Sequence, residues 1–356
     1  MTFNFLNIKM NLLKLLFLFF AFGICLSFAP KSFASTQLIN GAGASFPYPL
    51  YSLWFKTYNK VKPDVQINYQ SIGSGGGVRQ VIQGTVDFGA SDSPMKDSEM
   101  AESKSAIHHI PTVLGAVALT FNIPGYNGDI KLTPELLVGI FSAQIKKWND
   151  PRLLVENPSL KDIKNYIIPI RRADGSGTTA VFTEYLSKVS PDWKKKFGEG
   201  KAIKWASGLG GKGNEGVTGL VKQNPGAIGY VEVAYAHTSG TPMASIKNKS
   251  GQFIKPTLEA ISLAANGVKI PDDFRVSITN SEDPKSYPIS SFTYLLIPES
   301  MPQEKSKIFR DFLKWSMVEG QALAPNLQYA KLPLDLVSRV QKKVDAIVFS
   351  TVIKTK

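Results

Sequence analysis

The sequence is poor in the residues that most enzymes and most nucleic-acid binders depend on. It has one cysteine in 356 residues, Cys25, which lies inside an N-terminal apolar run and leaves the rest of the chain with no disulfide. It has three histidines, His108, His109 and His237. His108 and His109 are adjacent in a stretch that reads as a strand, so one faces inward as a hydrogen-bonded core residue. A serine hydrolase needs a histidine beside its serine and a third group behind it; neither Ser74 nor Ser176 sits in a G-x-S-x-G elbow. No Asp, His and Glu cluster has metal-ligand spacing. The expectation is a protein with no catalytic residue, no metal and no cofactor.

Acidic charge is also scarce, 28 Asp and Glu against 41 Lys and Arg, for a net charge of +13. The basic residues are scattered, and Lys146-Lys147 and Lys194-Lys195-Lys196 read as solvated helix faces. No zinc-finger or RNA-binding signature accompanies them, which argues against nucleic acid. The surplus suits steering of a small anion. No long hydrophobic run occurs beyond the N-terminus. There, Lys9 and Lys14 precede Leu15 to Phe22 and a little more, and Ser32-Phe33-Ala34 closes the run with small residues. This is the pattern of a secretory signal peptide, residues 1–34, cleaved after Ala34; the run is shorter than the roughly 20 residues of a membrane span. Removing it takes away Lys9, Lys14 and Lys31 and no acid, leaving +10. An exported protein without disulfides is expected in the periplasm.

What is present is glycine, 29 residues, much of it in turns that follow strands and precede helices. Ile167 to Arg172 reads as a short buried strand entering Ala173-Asp174-Gly175-Ser176-Gly177-Thr178-Thr179. A helix follows, with Val181, Phe182, Tyr185 and Leu186 on one face. A helix start presents unpaired N–H groups and the positive end of the dipole. Glycine lets an anion approach, Ser176 and Thr178 add hydroxyls, and Arg172 adds a charged fork. These make a tetrahedral oxyanion site.

Two upstream segments repeat the pattern. Gln37 to Asn40 is a strand before Gly41-Ala42-Gly43-Ala44-Ser45-Phe46-Pro47 and a helix carrying Leu50, Trp54 and Tyr58. Val65 to Tyr69 is a strand before Ser71-Ile72-Gly73-Ser74-Gly75-Gly76-Gly77, with Ser74 as the cap of the next helix or one step before it. Val86 to Ala90 is a strand closed by Ser91-Asp92-Ser93. Ile110 to Phe121 reads as one or two buried strands, and Phe292 to Ile297 as another. Thr133-Pro134-Glu135 opens a helix, Pro302 opens another, and a last one covers roughly Leu334 to Val344. Gly208-Leu209-Gly210-Gly211-Lys212-Gly213 matches a dinucleotide fingerprint, but Trp205-Ala206-Ser207 is no first strand. It reads instead as a glycine-rich loop with Asn214 capping the following helix.

Strand and helix alternate throughout, which gives two α/β lobes. Residues 35–121 and 288–356 form the first and 122–287 the second. The order Gly41-Ala42-Gly43-Ala44-Ser45-Phe46-Pro47, Ile72-Gly73-Ser74-Gly75-Gly76-Gly77-Val78, Val86-Asp87-Phe88-Gly89-Ala90-Ser91-Asp92 and Arg171-Arg172-Ala173-Asp174-Gly175-Ser176-Gly177-Thr178 resembles the substrate-binding proteins of phosphate-specific transport (Pst). The resemblance implies a two-lobed periplasmic binding protein fold of type 2, with the ligand cleft between lobes joined by hinge strands. It implies binding of inorganic phosphate by Ser45, Phe46, Ser74, Arg172, Ser176, Gly177 and Thr178 as donors and by Asp92 as acceptor, with Asp174 pairing Arg172. The family usually carries Thr in place of Ser45 and often Ser in place of Gly75. The expected partners are phosphate and the transmembrane permease subunits of an ATP-driven importer with its cytoplasmic ATPase, and the protein is expected to act as a monomer. The alternatives are a receptor for another oxyanion, a secreted phosphate-ester hydrolase, or a surface adhesin on the same fold.

Overall fold

A computed structural model describes residues 36–349; the leader and its cleavage site lie outside the described residues. The long sheet has eight strands: β1 (Gln37–Gly43), β2 (Val65–Ser71), β3 (Phe88–Ser91), β4 (Ile107–Phe121), β5 (Ile168–Arg172), β6 (Leu209–Gly211), β7 (Ala227–Glu232) and β8 (Ser290–Pro298). Their order is β2-β1-β3-β8-β4-β7-β5-β6. Lys131–Leu132, Ser245–Lys247 and Phe253–Ile254 form a separate small sheet. Helices alternate with the strands as the sequence requires: α1 (Tyr48–Val61), α2 (Ser74–Gln83), α3 (Pro134–Phe141), α4 (Gly177–Val189), α5 (Gly213–Gln223), α6 (Val233–Ser239), α7 (Gln303–Trp315) and α8 (Leu334–Ala346).

β4 decides the architecture. It is a single strand, buried along its length except at His108, as near-continuous apolar sequence demands when both faces are covered. Its residues 107–116 pair antiparallel with β8, while Val117 to Phe121 pair with β7. One strand therefore serves two half-sheets. In the first, β1 pairs in parallel with β2 and β3; in the second, β5 pairs in parallel with β6 and β7. This is the mixed α/β, two-lobed periplasmic binding fold. Among the described residues no helix is long and apolar enough to cross a membrane.

Helix starts follow their local chemistry. The Thr133 hydroxyl accepts from Leu136 N–H to cap α3, and the Ser176 hydroxyl accepts from Thr179 N–H to cap α4. His109 is the inward histidine, its Nε2 accepting from Met95 N–H at 3.0 Å; His108 pairs with Glu299 at 2.8 Å.

Five local expectations differ from the structure. β1 runs on through Gly43, because glycine there leaves room for a neighbour: a Cβ on Gly41 would lie 2.1 Å from the Phe88 ring, and one on Gly43 2.2 Å from Ala90 O. Ser74 is the first residue of α2 rather than its cap, which is Gly73 at φ 83°. Leu209 to Gly211 is a strand paired with β5 rather than a loop, and Lys212, not Asn214, stands at the start of α5. Lys194 to Lys196 do end a helix, but Lys146 and Lys147 are not helical; Lys147 bridges to Tyr166.

Candidate oxyanion site

Three of the strand–turn–helix units aim their helix starts at one place. The first turn of α2 touches the turn before α4: Gly75 N–H donates to Gly175 O at 2.8 Å. Gly177 opens α4 so close to the opposite side that a Cβ on it would lie 2.3 Å from Ser74 Oγ and 2.5 Å from Asp92 Oδ2. The start of α5 joins them, because Asn214 N–H donates to Ser45 Oγ at 3.1 Å. Ser45 itself stands just ahead of α1 and its Pro47 cap. Every side chain here is withdrawn from solvent, with Ser45, Phe46, Ser74, Asp92, Arg172, Ser176 and Thr178 all buried. The structure thus brings the whole sequence-derived set into one neighbourhood, with Asp174 beside it.

The close packing at Gly177 gives a first test. Gly177→Ala adds a methyl group where none fits, so the turn must shift or the two sides must part. Overpacking of this kind costs ~1–3 kcal/mol. Equilibrium denaturant unfolding should show the loss, and a variant as stable as the parent would mean that the two sides do not meet as described.

Charge is arranged around two carboxylates with opposite surroundings. Arg172 is buried at the end of β5. Its Nε donates to Asp174 Oδ1 at 2.8 Å and its Nη2 to Asp174 Oδ2 at 2.5 Å, a two-pronged pair. The remaining nitrogen, Nη1, donates to Thr178 Oγ1 at 3.3 Å, and its own backbone N–H donates to Tyr230 OH at 3.1 Å. Asp174 also accepts from Gly213 N–H at 3.1 Å. Burial alone would raise the Asp174 carboxyl, but the hydrogen bonds and charge of Arg172 outweigh it and hold the group below its usual range.

Asp92 is the contrary case. Burial dominates and pushes its carboxyl up to about 7. The Thr293 hydroxyl, the Arg172 charge, the Ser74 hydroxyl and Lys201 pull it down by less. Oδ1 accepts from Thr293 Oγ1 at 3.0 Å, whereas Oδ2 has only a long contact with Ser74 Oγ at 3.4 Å. Oδ2 is therefore an under-satisfied buried acceptor facing the start of α4. A ligand that brings its own hydrogen-bond donor would satisfy it.

Sequence reasoning missed several neighbours. Thr293 was only part of an apolar strand, but a register shift between Thr293 and Tyr294 puts a bulge beside it, a feature that commonly re-aims a side chain. Ser291 Oγ donates to Asp92 O at 2.9 Å. Tyr235 OH donates to Ser45 O at 2.6 Å. Lys201 accepts from Ser176 N–H through its carbonyl at 2.8 Å, while its ammonium pairs with Glu99 at 2.9 Å. Each is a long-range contact that one-dimensional periodicity does not encode. Asn214 has a visible signal, a polar residue in a glycine-rich helix start, but that signal points only to capping.

Comparison with known proteins points the same way. Residues 30–319 match the model of the PBP superfamily domain. The chain is 45% identical to the phosphate-binding protein PstS of Haemophilus influenzae over 87% of its own length and 93% of that protein. It is 41% identical to the PstS of Pasteurella multocida over 86% and 89% of the two chains. Among solved structures it is similar in fold to a high-affinity periplasmic phosphate-binding protein bound with phosphate, with a TM-score of 0.71 at 21% identity over 88% of this chain and 96% of that one. A phosphate-binding protein from Stenotrophomonas maltophilia gives a TM-score of 0.69 at 18% identity over 86% and 93%.

Proposed function

We propose, from the premise that the chain belongs to the PstS phosphate-binding family of the PBP superfamily, that it captures inorganic phosphate in the periplasm and hands it to the membrane permease of an ATP-driven importer. Among the described residues the two lobes are 36–116 with 288–349 and 117–287, hinged where β4 passes from one half-sheet to the other, so that Val117 to Phe121, expected in the first lobe, belong with the second. Phosphate sits between Ser45, Phe46, Ser74 and Asp92 of the first lobe and Arg172, Ser176, Gly177 and Thr178 of the second.

The observation that carries this reading is the buried, under-satisfied Asp92 Oδ2 set among hydroxyls and helix starts. Donors surround the anion, and one acceptor asks it for a proton. Both HPO₄²⁻ and H₂PO₄⁻ have one to give. Sulfate has none, so a sulfate or molybdate receptor is disfavoured by the same residue. Arg172 supplies charge that Asp174 partly offsets, and most of the grip is dipolar: hydroxyls, the N–H groups of Phe46 and Gly177, and the positive ends of the helices. Ser45 in place of the family's usual Thr keeps the hydroxyl and frees its rotamer. The protein acts by binding and release rather than by turnover, as a monomer, with no cofactor.

Binding and lobe closure are one event in this reading, because only the closed arrangement makes both sets of contacts. Ion pairs at the rim, Glu99–Lys201 and Asp97–Arg275, belong to that arrangement. Small-angle scattering should show a smaller radius of gyration with saturating phosphate than without, and no change with sulfate. Identical curves with and without phosphate would overturn the two-lobed capture.

A further inference from the structure

Asn214, which the glycine-rich sequence made a simple cap, spends its backbone N–H and its whole side-chain amide inside the site. It is fully buried. Its backbone N–H donates to Ser45 Oγ at 3.1 Å, and its side-chain Nδ2 donates to the same oxygen at 2.9 Å. Nδ2 also donates to Thr178 Oγ1 at 3.3 Å. On its other side, Oδ1 accepts from the backbone N–H of Glu232 at 3.0 Å. That last bond decides the orientation of the amide. A backbone N–H can only donate, so the carbonyl must face Glu232 and the NH₂ must face the two hydroxyls.

A hydroxyl has two lone pairs and one proton. The lone pairs of Ser45 Oγ are filled by the two donors of Asn214. Those of Thr178 Oγ1 are filled by Asn214 Nδ2 and Arg172 Nη1. Neither hydroxyl donates to a group among the described residues, so each proton is left to point into the cleft.

We propose that Asn214 is a positioning residue that locks Ser45 on one lobe and Thr178 on the other as obligate donors to the oxyanion. The inference rests on the phosphate reading and deepens it. A hydroxyl free to rotate could offer a ligand either a lone pair or a proton. Locked as donors, Ser45 and Thr178 cannot accept the proton of phosphate, which removes two competitors of Asp92 for it. Selectivity by Asp92 thus depends on a residue on the other side of Ser45 that holds no ligand itself.

A double-mutant cycle read by calorimetric titration of phosphate separates this role from ordinary packing. Ser45→Ala and Asn214→Ala should each weaken phosphate binding by about 10–100-fold. The double variant should be no more than about threefold weaker than the worse single one, because Asn214 acts through Ser45 and has only its Thr178 contact left to lose. Losses that multiply would overturn the proposal. Should Asn214→Ala prove too unstable to titrate, Asn214→Asp preserves the shape and the bond from Glu232 but presents an acceptor to both hydroxyls. Their protons then turn back toward residue 214, and phosphate affinity should fall by more than about 100-fold. An Asp variant within about tenfold of the parent would overturn the proposal as surely. If the parent protein itself shows no phosphate binding, the phosphate reading fails instead.

Discussion

Asp92→Asn should shrink the ratio of phosphate to sulfate affinity by about 100-fold at about pH 9, where the ligand-free carboxyl of the parent is almost wholly ionised. The parent site meets sulfate with a carboxylate lone pair against a sulfate oxygen, two acceptors with no hydrogen between them and no water to intervene. Asparagine replaces one oxygen with an NH₂ donor of nearly the same shape. Sulfate then gains a partner where it had a repulsive one, while phosphate exchanges one good bond for another. Competition calorimetry at about pH 9 reads the ratio directly, and a variant that rejects sulfate as the parent does would remove Asp92 from the role.

The raised value for Asp92 adds a pH signature with a definite sign. Without ligand, the group moves from its ordinary 3.8 to about 7 on folding. Between those values the native state holds the extra proton, so the contribution of Asp92 to stability is fully present below the unfolded value. It is lost as pH rises toward 7 and beyond, by on the order of 4 kcal/mol. Asparagine never ionises. The ligand-free Asp92→Asn variant should therefore unfold at higher denaturant concentration than the parent at pH 8, with the gap closing toward pH 4. The parent should also begin to tolerate sulfate in acid, where the protonated carboxyl becomes a donor. The variant should show no such change.

The site and the fold were legible in the sequence to different depths. The strands leading into the glycine turns declared themselves because apolar side chains there alternate or run unbroken, and β4 and β8 were found from that alone. The ends of the elements were harder. Gly41 and Gly43 look like a turn in one dimension; in the fold they are strand residues whose missing side chains admit Phe88 and Ala90. Gly75 to Gly77 look like a loop and are helix, packed against the backbones of Gly175 and Gly43. Gly41, Gly75 and Gly77 are used for close approach rather than for a positive φ, while Gly43, at φ 149°, serves both ends. The same holds for the site. Donors that the family resemblance implied came together, but Thr293 reaches the cluster from a strand far away in sequence, where nothing local marks it, and the local mark of Asn214 is only that of a helix start.

Arg172→Met should weaken phosphate binding by about 10³-fold or more, because it removes charged hydrogen bonds worth roughly 1.5–3 kcal/mol each. It should also destabilise the protein before any ligand is added. In the parent, the two prongs of Arg172 hold Asp174 ionised although burial opposes it. With methionine there, Asp174 keeps only backbone N–H groups, those of Gly213 and its own, and an ionised group that is mostly out of solvent is left without its counter-charge. Breaking such a pair costs ~3–5 kcal/mol when both partners are fully buried; the 14% exposure of the Asp174 side chain places the expected loss at the low end. The direction with pH follows from the depressed carboxyl. Its contribution is present above the unfolded value and is lost as pH falls through the folded one. Parent and variant should therefore differ most near pH 7 and converge toward pH 3 in denaturant melts. Arg172→Lys distinguishes charge from geometry. An ammonium keeps the positive charge but cannot hold Asp174 with two nitrogens while a third reaches Thr178. The lysine variant should recover part of the stability and little of the affinity. Full recovery of phosphate binding by lysine would mean that the anion reads charge alone, and the fixed fork of Arg172 would have no part in its capture.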